Sequence, residues 1–170
     1  MVAAVRVHKT GGPEVLTYDD IPVPEPGPGQ IKVWNHACGV NFIDTYFRMG
    51  MYPSPVGLPF VSGNEGAGEV IAVGQGVTDL KVGDRVGYTS ALGAYAAERL
   101  LPADRSVKLP DKISYEQAAA MMLKGMTVQY LLRQTYKVKK GDNVLIHAAA
   151  GGVGLIACQW ANHLGANVIG

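Results

Sequence analysis

The sequence predicts an α/β protein in two parts: a barrel or sandwich of short strands, then the first strand, turn and helix of a doubly wound parallel sheet. Three observations predict it. Before Pro110 the apolar stretches are short and separated by turns that contain glycine or aspartate. After Pro110 helix formers take over, opening on Ser114 with Gln117 three positions later, the spacing of a capping box. Further on, Ala149, Gly151 and Gly154 stand at the spacing G-x-G-x-x-G, between a continuous apolar run and an amphipathic one.

Residues 2–7 and 15–18 read as two strands of a hairpin-like opening around Gly11, Gly12 and Pro13. "PVPEPGPGQ", residues 22–30, is an extended connector, because proline fixes φ and has no amide to donate, so a strand resumes only at Ile31. In "IKVWNHA", Ile31, Val33, Asn35 and Ala37 share one face and Lys32, Trp34 and His36 the other. Residues 69–73 and 85–88 are further strands, with turns at 74–76 and 83–84. A helix is expected over 115–134, bent or broken near Gly125. "NVLIHAA" reads as a strand buried on both faces. The domain boundary falls near residues 111–125, which divides the chain into parts 1–120 and 121–170.

Bulk properties exclude some functions. With 48% hydrophobic residues in 170, the chain can bury one good core and part of a second. A net charge of +1 offers no basic track for nucleic acid. The 22 glycines follow no collagen-like period, so they mark turns and close approaches. Cys38 and Cys158 have no CxxC partner and read as reduced, mostly buried thiols of a cytosolic protein. The N-terminal residues have no apolar core of signal length and no apolar run could cross a bilayer, which argues against export and membrane insertion.

The chemistry concentrates in "HAAAGGVGLIACQWANHLG". Small residues at 149, 151 and 154 let the strand turn tightly, let backbone approach a pyrophosphate, and let the next helix pack on the sheet. In that helix Val153, Ala157, Trp160, Ala161 and Leu164 form one stripe, Gly165 is the C-terminal cap, and "ANVIG" opens another strand. Its N-terminal amides favour an anion. An ordinary βα turn, with glycines for packing alone, is the alternative. The residue that separates NAD from NADP lies about 20 positions beyond such a fingerprint, so the sequence does not discriminate them.

"GVNFIDTYFRMGMYP", "GNEGAGEVIAVG", "VGDRV", "LKGMTVQYLL" and "HAAAGGVGLIACQWA" together resemble the zinc-independent, zeta-crystallin-like quinone oxidoreductase branch of the medium-chain dehydrogenase/reductase superfamily. The resemblance implies a GroES-like β-barrel catalytic domain followed by the start of a Rossmann domain. Chains of that family continue for about as long again, so these residues are expected to be the N-terminal half of a longer oxidoreductase, poorly active in isolation. Zinc-dependent members carry a cysteine in the first string and Gly-His-Glu in the second. Here Asn41 and Asn64 stand at those positions, and neutral amides are poor zinc ligands. No metal site is therefore expected. Without a Lewis acid an alkoxide is poorly stabilised, whereas a reduced quinone is a delocalised phenolate whose formation needs positioning and a few hydrogen bonds.

The resemblance also implies site residues. Asn41, Tyr46 and Tyr52 match catalytic positions around the nicotinamide and substrate, whereas without the resemblance either tyrosine reads as a core aromatic with a satisfied hydroxyl. Asn41, Lys124, Thr127, Ala150, Gly151, Gly152, Val153 and Gly154 match cofactor contacts. Thr127 otherwise bonds its own helix backbone, and Lys124 is otherwise a solvated lysine. His147 is read as structural, at the end of a buried strand. The expected activity is reduction of a quinone by NADPH, with NADH not excluded, by a cytoplasmic protein that is a homodimer at full length. The alternatives are reduction of activated enones or enals, and a non-enzymatic crystallin-like or single-stranded nucleic-acid-binding role, which the near-neutral charge does not support.

Overall fold

The computed structural model describes residues 1–89 and 92–170. By internal contact the chain divides into two compact units, residues 1–122 and 123–170.

In the first unit, β1 (Val2–Val7) pairs antiparallel with β2 (Leu16–Ile21) and with β4 (Phe60–Val61). The chain from residue 22 runs extended, as the prolines require, and enters β3 (Gln30–Gly39) one residue earlier than expected. β3 lies inside a five-stranded antiparallel sheet of order β7-β3-β5-β6-β8, with β5 at Glu65–Val73, β6 at Arg85–Thr89, β7 at Glu98–Pro102 and β8 at Ser106–Lys108. Tyr95, Ala96 and Ala97 join the two sheets: the Val5 amide donates to Tyr95 O, Ala97 to Ala3 O, and Asn35 to Ala97 O. The result is an open barrel. Its core holds Ile31, Val33, Val70, Val86, Tyr88 and Leu101. The expected alternation in β3 is kept at Ile31 and Val33, while Trp34 and His36 are exposed; Lys32 is buried as well, because its ammonium donates to Glu25. α1 (Phe42–Met49) follows β3 directly.

α2 (Tyr115–Tyr130) begins at the capping box: Ser114 N–H donates to Gln117 Oε1 at 2.9 Å, and Gln117 N–H to Ser114 Oγ at 3.2 Å. The expected break at Gly125 does not occur. One interior glycine costs about 1 kcal/mol relative to alanine, less than the burial of Ala118, Ala119 and Val128 along the same helix contributes. The irregularity comes later, as a π-helical turn over Leu131–Thr135.

In the second unit, β9 (Asn143–Leu145) pairs in parallel with β10 (Asn167–Ile169), and α3 (Gly152–His163) crosses between them. The strand expected through "NVLIHAA" is thus shorter and not doubly buried: Leu145 is 63% exposed. In a two-stranded sheet with one packed face, only alternate residues, Val144 and Ile146, turn toward the core. His147 accordingly lies in an exposed turn rather than in a buried strand. α3 presents Gly154, Ala157 and Ala161 to that core, while Val153 at the edge of the expected stripe is exposed. Among the described residues no helix is long and apolar enough to cross a membrane.

Candidate functional site

In the first unit the site residues gather where β3 gives way to α1. Asn41, still extended, is the N-cap of α1, and its backbone N–H donates to the Asp44 carboxylate at 2.9 Å. The carboxylate of an N3 residue therefore satisfies an amide that the helix leaves unpaired. The Asn41 side chain is engaged elsewhere: its Nδ2 donates to Glu65 Oε2 at 2.8 Å. Asp44 also accepts from Asn64 Nδ2 at 2.6 Å and from the Tyr95 hydroxyl at 2.7 Å. Asp44, Asn64 and Glu65 are all buried. Gly63, just before them, has φ +89, and a Cβ there would overlap the Tyr95 ring, so only glycine fits. Burial first, and then the Asp44 carboxylate, hold the Tyr95 phenol well above its usual range, so it remains a donor.

Farther along α1, Tyr46 and Tyr52 meet edge to face with ring centroids 5.5 Å apart, and Phe47 packs edge to face on Tyr52 at 5.9 Å. Tyr52 is 47% exposed and Phe42, next to Asn41, 80%. The structure thus pairs the two tyrosines on an accessible aromatic surface rather than in the core, and joins Asn41 to Glu65. A separate cavity of about 350 Å³ opens beside Tyr95, Asn35 and Cys38 rather than beside the tyrosine pair. Cys38 is exposed, contrary to the expectation of a buried thiol: the register of β3 shifts between Asn35 and Ala37, and Cys38 lines the cavity with its Sγ donating to Ala94 O. Cys158 is half-buried.

Asp44 and Tyr95 are the residues that sequence reasoning missed. The Asn-x-x-Asp spacing of a helix start could have revealed Asp44; nothing local points to Tyr95. The donor set does not fit zinc. The two candidate positions are carboxamides already bonded to Glu65 and Asp44, and among the described residues no three His, Cys, Asp or Glu side chains converge to hold a metal.

The second unit carries the glycine loop. Ala148 adopts φ 55 and its carbonyl accepts from Gly151 N–H at 2.9 Å, which turns the chain sharply into α3. Gly154 is buried beneath this turn, where a Cβ would overlap Ala148 O and crowd Ala149. Ala150, Gly151, Gly152 and Val153 are exposed at the mouth. The first α3 amide bonded back into the helix is that of Leu155, to Gly151 O, so helix geometry leaves the amides of residues 152–154 directed at the loop. Lys124 lies alongside: its Cδ and Cε are 2.9 Å from where a Gly152 Cβ would stand. Its stem is therefore half-buried over the loop rather than solvated. Thr127 Oγ1 donates to Leu123 O at 2.8 Å, the local helix bond. Exposed small residues, a helix N-terminus and an adjacent lysine together fit the pyrophosphate of a dinucleotide.

Residues 27–111 match the alcohol dehydrogenase GroES-like domain. The chain belongs to that family. The GroES-like match covers the end of the connector, β3, α1, the Gly63–Asn64–Glu65 step and the five-stranded sheet of the open barrel. Over its whole length the chain is similar to a quinone oxidoreductase of Pseudomonas aeruginosa, at 58% identity and over 52% of that protein. It is also similar to the 2-haloacrylate reductase of a Burkholderia species, at 53% identity and over 53% of it. Among solved structures, the Escherichia coli quinone oxidoreductase complexed with NADPH superposes with a TM-score of 0.95 at 54% identity, covering 99% of this chain and 52% of that one. The chain spans about half the length of the curated relatives it matches.

Proposed function

We propose that the whole protein reduces quinones with NADPH and without zinc. One observation carries the reading: 58% identity along the entire chain to a quinone oxidoreductase, in a sequence whose two zinc-ligand positions are the carboxamides Asn41 and Asn64. NADPH is favoured over NADH by the similarity to a relative whose structure is a complex with NADPH. Residues 1–120 are the substrate-side domain and 121–170 the first part of the nucleotide domain. The same resemblance supports a cytoplasmic homodimer.

The backbone of Ala150, Gly151, Gly152, Val153 and Gly154 holds the pyrophosphate, with the Lys124 ammonium adding positive charge and Thr127 facing the ribose. Asn41, its Nδ2 steadied by Glu65, would stand at the nicotinamide end of the cofactor. When bound, the dinucleotide supplies a hydride. Tyr46 and Tyr52 provide a flat aromatic wall and hydroxyls that donate to a quinone carbonyl oxygen, the atom on which negative charge develops. A proton delivered to that oxygen completes the hydroquinone.

A second reading, reduction of an activated alkene, is favoured by the 53% identity to a 2-haloacrylate reductase. Steady-state assays of the whole protein with 1,4-benzoquinone and 2-chloroacrylate as competing acceptors, each with NADPH and NADH, separate the two. The quinone reading expects the higher kcat/KM with benzoquinone and NADPH. Preference for the haloacrylate selects the second reading.

A further inference from the structure

α1 begins inside a closed circuit of hydrogen bonds. Asp44 holds the Asn41 backbone; the Asn41 side chain holds Glu65; Glu65 is joined by a peptide bond to Asn64; and Asn64 returns to Asp44. Tyr95 closes the circuit from the segment that joins the two sheets. Its hydroxyl donates to Asp44 while its ring covers Gly63. Every bond is 2.6 to 2.9 Å long. Such a circuit has little freedom, because moving any member strains two others and leaves a buried polar group unpaired. Its two outputs are the orientation of the Asn41 amide and the direction in which α1 leaves the barrel, which sets Tyr46.

We infer that Asp44, with Tyr95 and Asn64 as its donors, is a positioning residue: it fixes the Asn41 amide and the Tyr46 ring in the geometry that hydride acceptance requires. This rests on the quinone-reductase reading for its catalytic consequence, though not for the clamp itself. Asp44 is buried behind Asn41 and acts through Asn41 and α1. A sub-ångström slackening at Asn41 lowers turnover more than affinity, since cofactor binding relies mainly on the glycine loop.

The test compares Tyr95→Phe and Asn64→Leu with a matched control, Tyr88→Phe, in the whole protein. Tyr88 also donates a buried bond, to Asn35 at 2.6 Å, but lies outside the circuit. Each of the three variants loses a side-chain hydrogen bond to a partner inside the barrel, and similar losses of thermal stability are expected. Turnover with benzoquinone is expected to fall about tenfold in Tyr95→Phe and Asn64→Leu, with KM for NADPH within about twofold, and to stay near wild type in Tyr88→Phe. In 15N-labelled protein, the Asn41 side-chain amide resonances are expected to shift in the first two variants and not in the control. Equal loss of turnover in all three, or loss in none, overturns the inference, as does an unmoved Asn41 amide. Should the wild-type protein reduce no quinone, the reaction assigned above is wrong, and the amide resonances alone then decide the clamp.

Discussion

At Gly154 and Tyr88, single residues carry consequences that a substitution exposes. A side chain at 154 has no room between α3 and the Ala148–Ala149 backbone. Gly154→Val is therefore expected to cost about 1–3 kcal/mol, as overpacking does, and to open the loop beneath its exposed amides. Chemical denaturation reads the first effect, and a fall in NADPH affinity by fluorescence titration the second. Tyr88 is fully buried, and burial pushes its phenol up to about 12. Because unfolded tyrosine ionises near 10, the shift contributes stability that is complete below about pH 10 and lost as pH rises toward 12. Tyr88→Phe is expected to lack that alkaline loss in denaturation curves taken on either side of pH 10. The proposed site residues Asn41, Tyr46 and Tyr52 were singled out because they sit in a string whose pattern is distinctive. Tyr95 was not, because it reaches Asp44 across 51 residues of sequence and through a sheet junction that no local periodicity encodes.

Among the elements, α2 and α3 show which sequence signals translate directly into structure. The capping box is a local code: two side chains and two amides within four residues. Ser114→Ala is accordingly expected to destabilise the chain by about 1 kcal/mol, read by urea denaturation. The turn into α3 was legible for the same reason, since small residues at fixed spacing have few alternatives. The π turn over Leu131–Thr135 was not legible, since no local pattern marks it; Leu132 and Val138 on and beyond it are buried in one core. Within these residues β9 is packed on one face, through Val144, and Leu145 on the other face is exposed, so the apolar run carries more burial than the two-stranded sheet alone supplies. At the N-terminus of α3, Lys124→Ala is expected to weaken NADPH binding by about threefold to tenfold and to reduce its dependence on salt. A titration at two ionic strengths checks this.

For the molecule as a whole, an open barrel holds Asn41 and the tyrosine pair, and a βα unit presents a glycine loop with a lysine beside it. Fold class was legible because glycine-punctuated strands and a helical run differ in period. The carboxamides at 41 and 64 were legible as substitutions against a family pattern, but not the carboxylates that occupy them. Those two amides, engaged by Glu65 and Asp44, are the basis for the proposed reduction without a Lewis acid. The most direct test is quinone-dependent oxidation of NADPH by the whole protein, before and after exhaustive treatment with a zinc chelator. The expected result is turnover that the chelator leaves unchanged and that added zinc does not raise. Turnover abolished by the chelator and restored by zinc, or oxidation of alcohols in place of quinone reduction, would contradict the account.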